Sequence, residues 1–150
     1  MKVITKLLAA VVFVAATAFL PQDSSDEVMD CASKAGNGAV YLKDFQVKLP
    51  EAKEGERPPM FQQAIVLRGN NLYRFNLCDK QGEAVIRIYD SSRMVLTSYD
   101  PATGKNNNPI QFLCRKTGPY NIVITFKEGK AGESIGIMSH VNISESRRSQ

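Results

Sequence analysis

The sequence predicts an all-β domain, an antiparallel two-sheet sandwich, with a barrel as the alternative. Three observations predict it. Apolar and polar residues alternate through eight short segments between Val40 and Ile143, the period-two signature of strands. Turn residues separate these segments about every ten residues. No amphipathic helical pattern interrupts the series, and alternation this clean favours antiparallel sheets with one wet face.

The elements follow in order. Val40 to Leu49 puts Tyr41, Phe45, Val47 and Leu49 on one face. Residues 50–59 are charged and Pro-rich, a loop. Phe61 to Leu67 is the next strand, and Gly69-Asn70-Asn71 a turn. Leu72 to Leu77 sends Tyr73, Phe75 and Leu77 inward, with Arg74 and Asn76 outward. After Asp79-Lys80-Gln81-Gly82, Ala84 to Asp90 aligns Ala84, Ile86 and Ile88. Asp90-Ser91-Ser92-Arg93 connects tightly to Met94 to Tyr99. A longer loop, Asp100 to Pro109, leads to Ile110 to Cys114, with Ile110, Phe112 and Cys114 on one side. Tyr120 to Phe126 alternates most cleanly. Ser134 to Ile143 closes the set, with Ile135, Ile137 and Val141 on one face.

Ahead of these strands, residues 1–18 have the layout of a secretory signal. Lys2 and Lys6 precede an uncharged apolar run, Leu7 to Ala16, and Ala16-Thr17-Ala18 offers a small-x-small cleavage site. The run is short for a span of roughly 20 residues. Counting Phe19 and Leu20 keeps an uncleaved anchor open as the alternative. Residues 19–38 read as a polar tether with one helical turn near Asp26 to Ser33. Residues 39–144 form the domain, and 145–150 a polar tail. About 130 residues suffice for one core. The expected location is secreted or periplasmic, with no stable membrane insertion after cleavage.

Charge narrows the partners. The chain carries 19 basic and 15 acidic residues. Losing Lys2 and Lys6 with the leader leaves a net charge of +2. The charges are interspersed apart from Arg147-Arg148, and nucleic-acid binding would need a basic stripe. No nucleic-acid partner is expected.

The three cysteines, Cys31, Cys78 and Cys114, allow three single bridges. An exported chain can keep one. Cys78 with Cys114 is favoured, because both sit at strand ends. A bridge using Cys31, or none, are the alternatives. Metal binding is not expected, since no two cysteines are close in sequence and there is one histidine.

Catalysis finds little support. A Ser-His-Asp site would have to use His140, which falls on the strand face opposite Ile137 and Val141, where polar surface is the ordinary role. No nucleophile elbow, zinc-binding helix motif or phosphate loop is present. No cofactor is expected. Two binding features remain. Asp100, Asn106, Asn107 and Asn108 make an oxygen-rich loop, a composition that can hold Ca²⁺ and is also ordinary for turns. Tyr89 and Tyr99 fall on outward faces and offer a small aromatic platform. Asn142-Ile143-Ser144 matches a glycosylation sequon.

Three segments carry a resemblance. They are Asn71-Leu72-Tyr73-Arg74-Phe75-Asn76-Leu77, Val85-Ile86-Arg87-Ile88-Tyr89-Asp90 and Thr117-Gly118-Pro119-Tyr120-Asn121-Ile122-Val123-Ile124. Together, over residues 61–141, they resemble the bacterial pre-peptidase C-terminal domain. That family runs through a Tyr-x-Phe strand, an apolar strand ending in Asp, and a Gly-x-Tyr-x-Ile/Val strand. The resemblance implies a jelly-roll-like sandwich that is not itself catalytic and has an accessory or binding role. Here no peptidase accompanies it, and the cysteines stand outside the pattern. The expected function is non-catalytic binding of an envelope or extracellular protein or glycan. The alternatives are a secreted protease inhibitor inserting the loop at 100–109, and a small hydrolase using His140. Oligomeric state is left open.

Overall fold

Alternating strands bury one face each, so two sheets close on a shared core. The computed structural model describes residues 24–142. It contains a helix, α1 (Ser24–Ser33), and ten strands. They are β1 (Ala39–Leu49), β2 (Phe61–Leu67), β3 (Asn71–Gln81), β4 (Ala84–Asp90), β5 (Arg93–Thr97), β6 (Tyr99–Asp100), β7 (Lys105–Asn106), β8 (Ile110–Cys114), β9 (Gly118–Phe126) and β10 (Gly132–Val141). The eight expected strands are present. β6 and β7 are additions, a two-stranded ribbon inside the loop at 100–109. The expected leader, the tail, residues 19–23 and the last two sequon positions lie outside the described residues.

The long strands form two four-stranded antiparallel sheets, ordered β1-β10-β3-β8 and β2-β9-β4-β5. Pairing is nested: β1 with β10, β2 with β9, β3 with β8, β4 with β5. This is a jelly roll, the architecture the family resemblance implied. Its core holds Phe45, Val47, Tyr73, Phe75 and Leu77 from one sheet, and Ile86, Ile88, Ile122, Ile124 and Phe126 from the other. One approach is very close. A Cβ on Gly132 would stand 2.1 Å from the Phe126 ring, so β10 begins on the one residue that admits that ring.

A β-bulge corrects one facing. Register shifts between Tyr41 and Lys43, and an extra residue turns what precedes it over. Tyr41 therefore opposes Ser139 rather than joining Phe45, and its exposed hydroxyl donates to Asp44 Oδ1 at 2.7 Å.

The segment expected as a tether carries α1 against the outer face of the first sheet. Val28, Cys31, Ala32 and Ala35 recur at helical spacing, and Asp26 and Glu27 in the first turn suit the helix dipole. Val28 and Cys31 pack on Ile135 and Ile137, a second small core. Ile135 and Ile137 thus face the helix, not the sandwich interior. Arg74 points outward as expected but is buried, donating from Nη1 to the carbonyls of Ala35 at 2.6 Å and Asn37 at 3.3 Å. It satisfies carbonyls just beyond the end of α1, where a cation is favoured. Asn76 donates to the Cys31 carbonyl at 3.0 Å.

The disulfide joins Cys31 to Cys78, which overturns the favoured Cys78–Cys114 bridge. The reason is strand parity. Leu77 points inward, so Cys78 points out toward α1. Cys114 points inward with Ile110 and is a free, buried thiol. It lies 3.2 Å from the Lys116 carbonyl and 3.6 Å from the Tyr120 hydroxyl. That sulfur, with burial, pushes Tyr120 up to about 12.

Candidate functional site

The two sheets are dressed differently. Helix α1 crosses the outer face of the first. No described helix crosses the outer face of the second, where β9 and β4 run centrally between β2 and β5. Alternation brings Asn121, Val123 and Thr125 of β9 and Val85, Arg87 and Tyr89 of β4 to that face.

Two adjoining grooves lie there. The first, about 370 Å³, runs past Met60, Arg87, Tyr89, Ser91 and Asn121. The second, about 470 Å³, runs past Pro58, Val85, Tyr99 and Lys127. Met60, Arg87 and Thr125 line both. Arg87 is held at their junction by donating from Nη1 to Thr125 Oγ1 at 2.8 Å. Apolar exposure surrounds them: Met60 is 51% exposed, Met94, opposite Tyr89, 48%, and Val66 at the far end of β2 73%. Among the described residues the first groove is lined by no carboxylate, imidazole or thiol. It offers hydroxyls, amides, one guanidinium, an aromatic ring and thioether carbon, which suit recognition.

Both expected tyrosines line this face, one per groove. Tyr99 also has the Lys127 ammonium over its ring at 5.8 Å, and Lys127 pairs with Glu83 at 3.2 Å. The loop residues expected beside them have structural contacts. Asp100 Oδ1 accepts from the Ala102 amide at 2.9 Å and Oδ2 from the Thr103 hydroxyl at 2.8 Å. These bonds, the Thr103 hydroxyl first, hold its carboxyl below the ordinary value. Asn106 donates to the Ala84 carbonyl at 2.7 Å. Asn108 bridges the Leu77 backbone, accepting at 2.9 Å and donating at 2.6 Å. The Asn107 backbone amide donates to the Ser98 carbonyl at 2.8 Å. The loop is a ribbon stitched to β3 and β4.

Arg87 and Met60 were not singled out from sequence. Arg87 carried a signal, being the one charge between the apolar β4 residues that point outward. Met60, ending a Pro-rich loop, carried none. His140 lies on the face opposite Ile137, as expected. That face is the interior one, so the ring sits half-buried at the open rim of the sandwich beside Tyr73.

No protein-family model matches the sequence, and no curated protein matches it. Solved structures do. Aeromonas hydrophila PliG, a periplasmic lysozyme inhibitor of g-type lysozyme, is 9% identical with a TM-score of 0.51, over 70% of this chain and 90% of that one. The pre-peptidase C-terminal domain of collagenase from Bacillus anthracis is 9% identical with a TM-score of 0.47, over 64% of this chain and 87% of that one. The chain is thus similar in fold to a periplasmic inhibitor.

Proposed function

We propose that this chain is an exported, non-catalytic binding protein whose partner is a protein of the cell envelope or its surroundings. The observation that carries this reading is the unequal dressing of the two sheets. On one outer face α1 covers the central strands β10 and β3, while the other presents Met60, Met94, Arg87 and Tyr89 around open grooves. Methionine, tyrosine and arginine are enriched where proteins meet. The Cys31–Cys78 disulfide suits an oxidising compartment. The fold likeness to a periplasmic inhibitor supplies the first partner to try, a g-type lysozyme, by analogy of fold. A glycan is the weaker reading, because Tyr99 and Tyr89 line separate grooves and a lysine already covers Tyr99.

The test is biolayer interferometry of residues 19–150 against g-type and other lysozymes, a protease panel and envelope extract, beside a glycan array. One protein partner is expected. Arg87→Ala and Met60→Asp, the latter at an exposed position, should each weaken it about tenfold or more. No protein partner, a glycan hit alone, or full affinity in both variants overturns the reading.

A further inference from the structure

A further cavity, about 390 Å³, opens at the rim of the sandwich, and it shares no lining residue with the two grooves. Its walls are Leu42, Val66, Leu67, Tyr73 and Met138, with Leu42 46% and Val66 73% exposed at the mouth. Clefts that hold small molecules have this size, about 300–1,000 Å³.

The lining carries a cation and no anion. Arg68, Asn71 and His140 complete the lining, and no carboxylate belongs to it. Asn71 donates its amide hydrogens to the carbonyls of Arg68 at 3.3 Å and Gly69 at 3.2 Å. Its Oδ1 is thereby turned to His140 Nε2 at 3.1 Å. That oxygen only accepts, so Nε2 carries the hydrogen and Nδ1 has no partner among the described residues. The Tyr73 oxygen accepts from the Arg68 backbone amide at 2.9 Å, which leaves its own hydrogen to give. The Arg68 guanidinium has no anionic partner among the described residues. An unspent hydroxyl hydrogen and a free cation thus border the hollow.

We propose that this cavity binds a small amphipathic carboxylate, its aliphatic body against Leu42, Val66 and Met138 and its anionic end toward Arg68 and the Tyr73 hydroxyl. A planar guanidinium matches a carboxylate by two parallel hydrogen bonds. The proposal is independent of any protein partner at the grooves.

The probes are sodium octanoate, 1-octanol and octylamine, titrated into isotope-labelled protein spanning residues 19–150 while amide and methyl chemical shifts are followed. Octanoate should move Leu42, Val66 and His140. Octanol and octylamine should bind at least about tenfold more weakly, the loss expected when charge-assisted hydrogen bonds go. Arg68→Gln should cost about tenfold, and Leu42→Ser should weaken all three probes. Leu113→Ser, an equally exposed residue on the opposite edge strand, should leave octanoate binding unchanged. Because Arg68 and Leu42 are exposed, both variants keep the core. No shifts at these residues, octanol as tight as octanoate, or an Arg68→Gln protein that binds like the parent overturns the proposal.

Discussion

Gly132 shows how much a single missing methyl can decide. Phe126 fills the space that any side chain at 132 would need, and a ring enclosed in a close-packed core does not give way cheaply. Gly132→Ala should destabilise the protein by about 1–3 kcal/mol or more, the usual cost of overpacking. A lowered urea midpoint at unchanged slope would register it, and parent-like unfolding would refute the close-packing account. At this scale the sequence held more than was drawn from it. Alternation already set Leu77 inward, and with it Cys78 outward, while Cys114 shared a face with Ile110. A bridge between Cys78 and Cys114 was thus excluded by parity, and strand-end position was the weaker signal. The facing of Tyr41 was not legible, because a bulge depends on the partner strand.

Helix α1 is the element the sequence hid best. It is short, and the positions it turns to the sheet are Val28, Cys31 and Ala32, so its apolar stripe is faint beside the strands. Its hold on the sandwich comes from outside itself. The Cys31–Cys78 bridge spans 47 residues. Closing such a loop stabilises by about 4 kcal/mol in the chain-entropy account. The double variant Cys31→Ala with Cys78→Ala should lose stability of that order in denaturant, keep its strand signal by circular dichroism, and become cleavable between residues 24 and 38. Retained protease resistance there would show that α1 holds on by packing alone.

Charge adds a weaker tie between the same elements. Glu27 on α1 pairs with Lys80 on β3, Lys80 with Glu133 on β10, and Glu133 with Lys48 on β1. Lys48, then Lys80, holds the Glu133 carboxyl below its ordinary value of 4.5. Its contribution is therefore complete above that value and lost as pH falls through the folded one. Lys80 is raised above 10.5, first by Glu27, and its contribution is lost only as pH rises past that point. Melting temperatures of the parent and Glu133→Gln should differ near about pH 7 and converge near about pH 3. A difference that persists in acid would remove charge from the explanation. These groups are solvated, so the gap at neutral pH should be small.

At the scale of the whole molecule the architecture was largely legible. Eight period-two segments marked the eight long strands, because each buries one face and wets the other. The order in which they pair was not in that pattern, since alternation says nothing of neighbours. The family resemblance implied a jelly-roll-like sandwich, and the pairing itself came only with the structure. The grooves were half legible: Tyr89 and Tyr99 announced themselves as outward aromatics, whereas the junction residue Arg87 gained its place only once β4 and β9 lay side by side. The rim cavity was invisible, because Leu42, Arg68, Tyr73 and His140 come from strands and turns far apart in the chain.

The nested pairing has a consequence in time as well as in space. β10 lies between β1 and β3 and is the ladder partner of both. The strand synthesised last among those described is therefore the one that the earliest waits for. Until residues near 141 have left the ribosome, β1 has no neighbour and its sheet has a gap at its centre. Closure of this sheet is therefore delayed until β10 has emerged, and the strands on either side of it wait for the same late segment.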